Sequence, residues 1–140
     1  MISLLACALH ISRLSRGAFD PAVGALVNAW GFGPERDEPD AAAIRTAVSA
    51  VRAPTHEALE LDCAAGRARK HAPLHLDLCG IAKGYAVDRM AAVLREHGIQ
   101  HALAALDGEL RAVGGQADGA PWAVALERPE FGRRAVHGVI

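Results

Sequence analysis

Leu76-Asp77-Leu78-Cys79-Gly80-Ile81-Ala82-Lys83-Gly84-Tyr85-Ala86-Val87-Asp88 changes its hydrophobic period in mid-course. Leu74, Leu76 and Leu78 alternate with His75 and Asp77, the pattern of a half-buried strand. Beyond Gly80 the period becomes helical, with Ala86, Met90, Val93 and Leu94 on one side, and Gly98 closes the run. The expectation is a strand that delivers Asp77 to a glycine turn, then a helix from about Ala82 to His97. Backbone N–H groups left free at a helix start form an anion site. Lys83 in the first turn opposes the macrodipole at a cost of about 0.3–1 kcal/mol, which a bound anion would reverse. The same residues also describe a solvated lysine beside a plain glycine turn, and local physics alone leans to that plainer reading. The glycine spacing matches neither a Walker A loop nor a dinucleotide fingerprint.

Outward from this stretch, the N-terminal side reads as helices. Leu4, Cys7, Ala8, Ile11 and Leu14 form one stripe, stopped near Gly17. Asp20-Pro21 reads as an N-cap and first helical residue, opening a helix through about Trp30, with Phe19 and Trp30 read as core. Gly31, Gly33 and Pro34 stop it, and Gly31-Phe32-Gly33 is equally compatible with a wall for a planar ligand. A charged loop, Glu35 to Pro39, leads to Asp40, the cap of a third helix with Ile44, Ala47, Val48 and Val51 on one face. Ala58 to Cys63 alternates as a strand, turning at Ala64-Ala65-Gly66 into a second strand from Arg67 to His71. On the C-terminal side, Ala102–Leu106 and Glu109–Val113 form a hairpin through Asp107-Gly108, and Trp122 to Leu126 is a last strand. The fold class expected is α+β, with an antiparallel or mixed sheet and flanking helices.

The chain has 140 residues, enough for one domain with a core. It carries 15 Lys and Arg against 16 Asp and Glu, so its net charge of −1 offers nucleic acid or anionic membrane no electrostatic attraction. Aromatics are 4%, too few for a base-stacking platform, and no apolar run is long enough to span a bilayer. Cys7, Cys63 and Cys79 show no metal-ligand spacing and read as buried or half-buried small hydrophobes. His71 with His75 straddles Pro73, and His97 with His101 straddles Gly98, so neither pair lies on one helix as a zinc pair would. Leu4-Leu5-Ala6-Cys7 lacks the cationic and apolar segments of an export signal. The chain opens directly on an apolar helix and closes on apolar Ala135 to Ile140, so both ends read as cut and residues 1–140 as a single domain incomplete at each end.

Two stretches together resemble one family, the ApbE-type FAD:protein FMN transferases. The first is Gly17-Ala18-Phe19-Asp20-Pro21 with Val23-Gly24, Leu26-Val27-Asn28 and Trp30-Gly31-Phe32-Gly33. The second is Leu76-Asp77-Leu78 with Gly80 to Asp88; Gly108-Glu109-Leu110-Arg111-Ala112, Gly114 and Pro121-Trp122 follow in the family's order. The resemblance covers almost the whole chain. It implies a Mg²⁺-dependent enzyme that cleaves FAD at its pyrophosphate, moves FMN to a Thr or Ser hydroxyl of an acceptor protein and releases AMP. Ala18, Phe19, Asp20, Asp77 and Lys83 would line the FAD site, and the Gly80 carbonyl would meet the metal. By the same resemblance an Asp and a Thr of an Asp-Pro-x-Thr-Gly motif, with a preceding histidine, belong after Ile140, and a flavin-contacting segment before Met1. The family's usual place is periplasmic or at the inner membrane as a lipoprotein. The sequence departs from the pattern at Ala22 (usually Thr), Ala25 (Pro), Cys79 (Gly or Ser) and Asp107 (Gly). The alternative functions are an FAD-binding module without transfer, or hydrolysis of FAD to FMN and AMP.

Overall fold

Apolar residues occur all round the first helix, so packing decides which face is buried. In the computed structural model, which describes residues 1–33, 38–50 and 53–140, helix α1 (Ile2–Leu14) buries Leu4, Leu5, Ala8, Leu9 and Ser12. The buried stripe is therefore rotated from the expected one, and Ile11 and Leu14 are exposed. Leu5 and Leu9 join Ala22, Ala58, Leu59 and Leu74 in a core flanked by Leu61, Leu76 and Leu78.

The end of α1 is a Schellman turn. The Gly17 N–H donates to the Ser12 carbonyl (2.8 Å) and the Arg16 N–H to that of Arg13 (3.1 Å). Arg16 takes the first left-handed position after the helix, usually held by glycine, at φ 52°, and Gly17 follows at φ 83°. Arg16→Gly should therefore raise the unfolding free energy by about 0.5–1 kcal/mol. A higher urea or thermal midpoint would register the gain; an unchanged one would mean that the arginine side chain compensates its own backbone.

Residues group into two compact units, Met1–Ala82 and Lys83–Ile140. In the first, α2 spans Gly24–Ala29, α3 Ala41–Ser49, α4 Thr55–Ala58, β1 Leu59–Asp62 and β2 Arg67–Lys70. Asp40 caps α3 as expected, its Oδ1 accepting from the N–H groups of Ala42 and Ala43 at 2.9 Å each. Its apolar face is not core, because Ile44 and Ala47 are half-buried and Val48 is exposed; Val51 and most of the charged loop lie outside the described residues. Trp30 is likewise 49% exposed and Phe32 83%. β1 and β2 pair antiparallel from Leu59↔Lys70 to Asp62↔Arg67, with Leu59 turned to the core. Leu74, Leu76 and Leu78 do alternate inward, but residues 73–78 are extended chain without a sheet ladder.

Helix α5 (Cys79–Glu96) starts earlier than Ala82 because the Asp77 carboxylate accepts the Cys79 N–H at 2.9 Å. In the second unit it buries Val87 and Ala91; of the expected inner side, Ala86 and Leu94 are half-buried and Met90 and Val93 are exposed. β3 (Ala102–Leu106) and β4 (Glu109–Val113) form the expected hairpin in full register. Its loop residues Asp107 and Gly108 have φ of 46° and 93°, the type I′ signature. β5 (Ala125–Glu127) pairs with β6 (Val136–Val139), a strand not anticipated, while Trp122 lies outside it and donates its indole N–H to the Val113 carbonyl (3.0 Å). The class is α+β, and among the described residues the antiparallel pairing forms three two-stranded sheets. Cys63 and Cys79 are exposed thiols, which corrects their reading as buried or half-buried; Cys7 is half-buried, as read. No helix among the described residues is long and apolar enough to cross a membrane.

Candidate functional site

Asp20 was expected to cap a helix. Its Oδ1 instead accepts the Ala22 N–H at 2.9 Å and the hydroxyl of Thr55, forming an Asx turn, and α2 begins only at Gly24 with Val23 as its cap. The reason is tertiary. Residues 20–24 are held against residues 75–77 by two backbone bonds, Asp77 N–H to the Pro21 carbonyl (2.8 Å) and Gly24 N–H to the His75 carbonyl (3.0 Å). A helix starting at Pro21 would withdraw that carbonyl from Asp77. Pro21 itself is fully buried.

Upstream, the Ser15 hydroxyl accepts the Phe19 N–H (3.0 Å) and the Ser15 carbonyl the Ala18 N–H (3.1 Å), which fixes the approach to Asp20. Ala18 is exposed, and Phe19 and Asp20 are half-buried. The Phe19 ring lies over Gly80, where a Cβ would stand 3.4 Å from its Cε2. The first unit therefore gathers Phe19, Asp20, Asp77 and Gly80 where the turn at residues 20–24 meets residues 75–77. A cleft of about 480 Å³ opens beside Asp20, bordered by Ser12, Arg13, Arg16, Thr55 and His56. Thr55, 3% exposed and bonded to Asp20, was not legible as a site neighbour because nothing local marks a partner 35 residues away.

The start of α5 is closer to the plain glycine turn than to an open anion cradle. The Cys79 N–H is held by Asp77, and those of Ile81 (3.0 Å) and Ala82 (2.8 Å) by the Leu78 carbonyl. In the second unit, Lys83 is paired with Asp107, Nζ to Oδ2 at 2.9 Å. Among the described residues no group of three or more His, Cys, Asp and Glu could hold a metal ion. His71 pairs with Glu60 (2.7 Å) and His101 Nδ1 meets the backbone of Gly115, which accounts for one member of each histidine pair.

The fold and this constellation define a family. The chain belongs to the ApbE family, whose model matches residues 1–140. It is 39% identical over 135 residues to an FAD:protein FMN transferase of Vibrio cholerae, covering 95% of this chain and 40% of that protein. It is 35% identical to the enzyme of the same name from Haemophilus influenzae, over 98% of this chain and 41% of that one. The fold matches the flavin transferase ApbE from Vibrio cholerae at TM-score 0.78 and 32% identity, covering 99% of this chain and 44% of that structure. It matches the apo form of the Pseudomonas stutzeri flavinyl transferase ApbE at TM-score 0.74 and 37% identity, over 89% and 41%. The chain thus spans about two fifths of the length of the relatives it matches.

Proposed function

We propose that this chain supplies the FAD-holding part of a flavin transferase that moves FMN from FAD to an acceptor protein. The observation that carries the reading is the stitching of residues 20–24 to residues 75–77, which sets Asp20, Phe19, Asp77 and Gly80 in one neighbourhood. Ala18 and Phe19 offer backbone and an aromatic face to the flavin nucleotide. Asp20 and Asp77 offer carboxylate acceptors to its N–H and O–H groups. Lys83 offers an ammonium to the pyrophosphate.

In the proposed reaction a Thr or Ser hydroxyl oxygen of the acceptor forms a bond to the FMN phosphorus. The P–O bond to the adenylate half breaks, AMP leaves with the bridging oxygen and the hydroxyl proton passes to solvent or a base. Such transfer depends chiefly on positioning and on neutralising charge. Mg²⁺, when bound, would neutralise charge on the pyrophosphate oxygens. The Gly80 carbonyl is the ligand this chain would offer it: a main-chain oxygen suits a hard cation, and its second lone pair is open to a metal even within a helix. A periplasmic or membrane-anchored location belongs to the same proposal.

The test is incubation of the chain with FAD, Mg²⁺ and a Thr/Ser-containing acceptor protein, followed by mass spectrometry and nucleotide chromatography. Because the chain spans about two fifths of its relatives, saturable FAD binding is the expected result for the chain alone. Acceptor gaining one FMN with equal AMP is expected once the segment carrying the Asp-Pro-x-Thr-Gly motif is supplied. In that completed reaction, free FMN and AMP with unmodified acceptor would indicate hydrolysis, and intact FAD with saturable binding would indicate a binding module.

A further inference from the structure

Lys83 Nζ lies 2.9 Å from Asp107 Oδ2 and 3.5 Å from the Asp107 carbonyl oxygen. The two residues are 24 apart in sequence, one on α5 and one at the tip of the β3–β4 hairpin, so the pair is made by the fold and not by local chain. Both loop residues of the hairpin need left-handed backbone, and Asp107 meets that need at φ 46°. Asn or Gly meets it equally well and without charge. Turn geometry therefore explains a short polar residue at this position but not a carboxylate. The ladder from Ala102↔Val113 to Leu106↔Glu109 runs up to the turn, so strand pairing sets where the Asp107 backbone sits. Its side chain is 79% exposed and that of Lys83 41%, which leaves the pair open to exchange with a ligand anion.

An ammonium already matched by a carboxylate attracts a second anion less, and a phosphate reaching Nζ meets the carboxylate's repulsion as well. We propose that Asp107 is a counter-ion of Lys83 that phosphate-bearing ligands must displace or out-compete, so that it lowers the affinity for FAD, most strongly at low salt. The proposal rests on the reading of Lys83 as a pyrophosphate contact.

The experiment titrates the chain and its D107N and D107G variants with FAD and with riboflavin, following flavin fluorescence at low and high NaCl. Both substitutions suit the turn, and a thermal melt confirms that each variant is folded. Both should bind FAD roughly two- to fivefold more tightly at low salt, the range set by an exposed ion pair. The gain should shrink at high salt and be absent for riboflavin, which has no phosphate. Unchanged or weaker FAD binding in both variants, with Lys83→Ala still weakening FAD, would overturn the counter-ion role while leaving the reading of Lys83 in place. FAD binding indifferent to Lys83→Ala would overturn that reading and this proposal together.

Discussion

Gly24→Ala lowers the unfolding free energy by about 2–3 kcal/mol, and the thermal midpoint falls by roughly 5–15 °C. A Cβ on residue 24 would stand 2.8 Å from the His75 carbonyl oxygen, 2.9 Å from its carbon and 3.1 Å from the Leu76 carbonyl carbon. All three are backbone atoms, so no side chain can rotate away; the two segments must part. Parting stretches the Gly24–His75 bond directly and the neighbouring Asp77–Pro21 bond with it. Leu74 and Leu76 lie on the same extended segment, so the displacement also reaches the core. Calorimetry or circular dichroism measures the stability loss. FAD titration of the still-folded fraction, below the lowered midpoint, reads whether Asp20 and Asp77 have lost their setting. A variant as stable as the parent would show that residues 20–24 and 75–77 do not approach this closely.

Gly24 also shows why the site was only partly legible from sequence. The motif Asp20-Pro21 satisfies the rule for a helix start and the rule for an Asx turn equally well, and only the carbonyl demanded by Asp77 decides between them. The alternation of Leu74, Leu76 and Leu78 does mark side chains that meet the core, yet alternation does not say whether a ladder partner exists. Helix α1 is apolar at Ile2, Leu4, Leu5, Leu9, Ile11 and Leu14, too evenly for a single stripe to be chosen before its neighbours are known. By contrast, the signals at Asp40 and Asp107-Gly108 are local, and both formed where expected. Motif resemblance, and not local periodicity, marks Ala18, Phe19, Asp20, Asp77 and Lys83. Thr55 beneath Asp20 and Asp107 against Lys83 depend on long-range contacts, which a motif does not encode.

Lys83→Ala weakens FAD binding by about ten- to a hundredfold and leaves riboflavin nearly unaffected. A hydrogen bond to a charged group contributes about 1.5–3 kcal/mol, which corresponds to that range of affinity. The difference between the two ligands is the informative quantity, because a merely structural loss in α5 would weaken both. The parent chain's affinity should fall as salt rises, and the variant's should fall less, since one attractive charge has gone. Part of the loss in the single variant comes from Asp107, whose carboxylate is left without the ammonium 2.9 Å away and repels the pyrophosphate. Removing that carboxylate as well should return some of the affinity, so the double variant K83A/D107N binds FAD more tightly than K83A. The coupling read from this cycle separates what the lysine gives the phosphate from what the aspartate withholds. Additive effects would mean that the two residues act on FAD independently despite their contact.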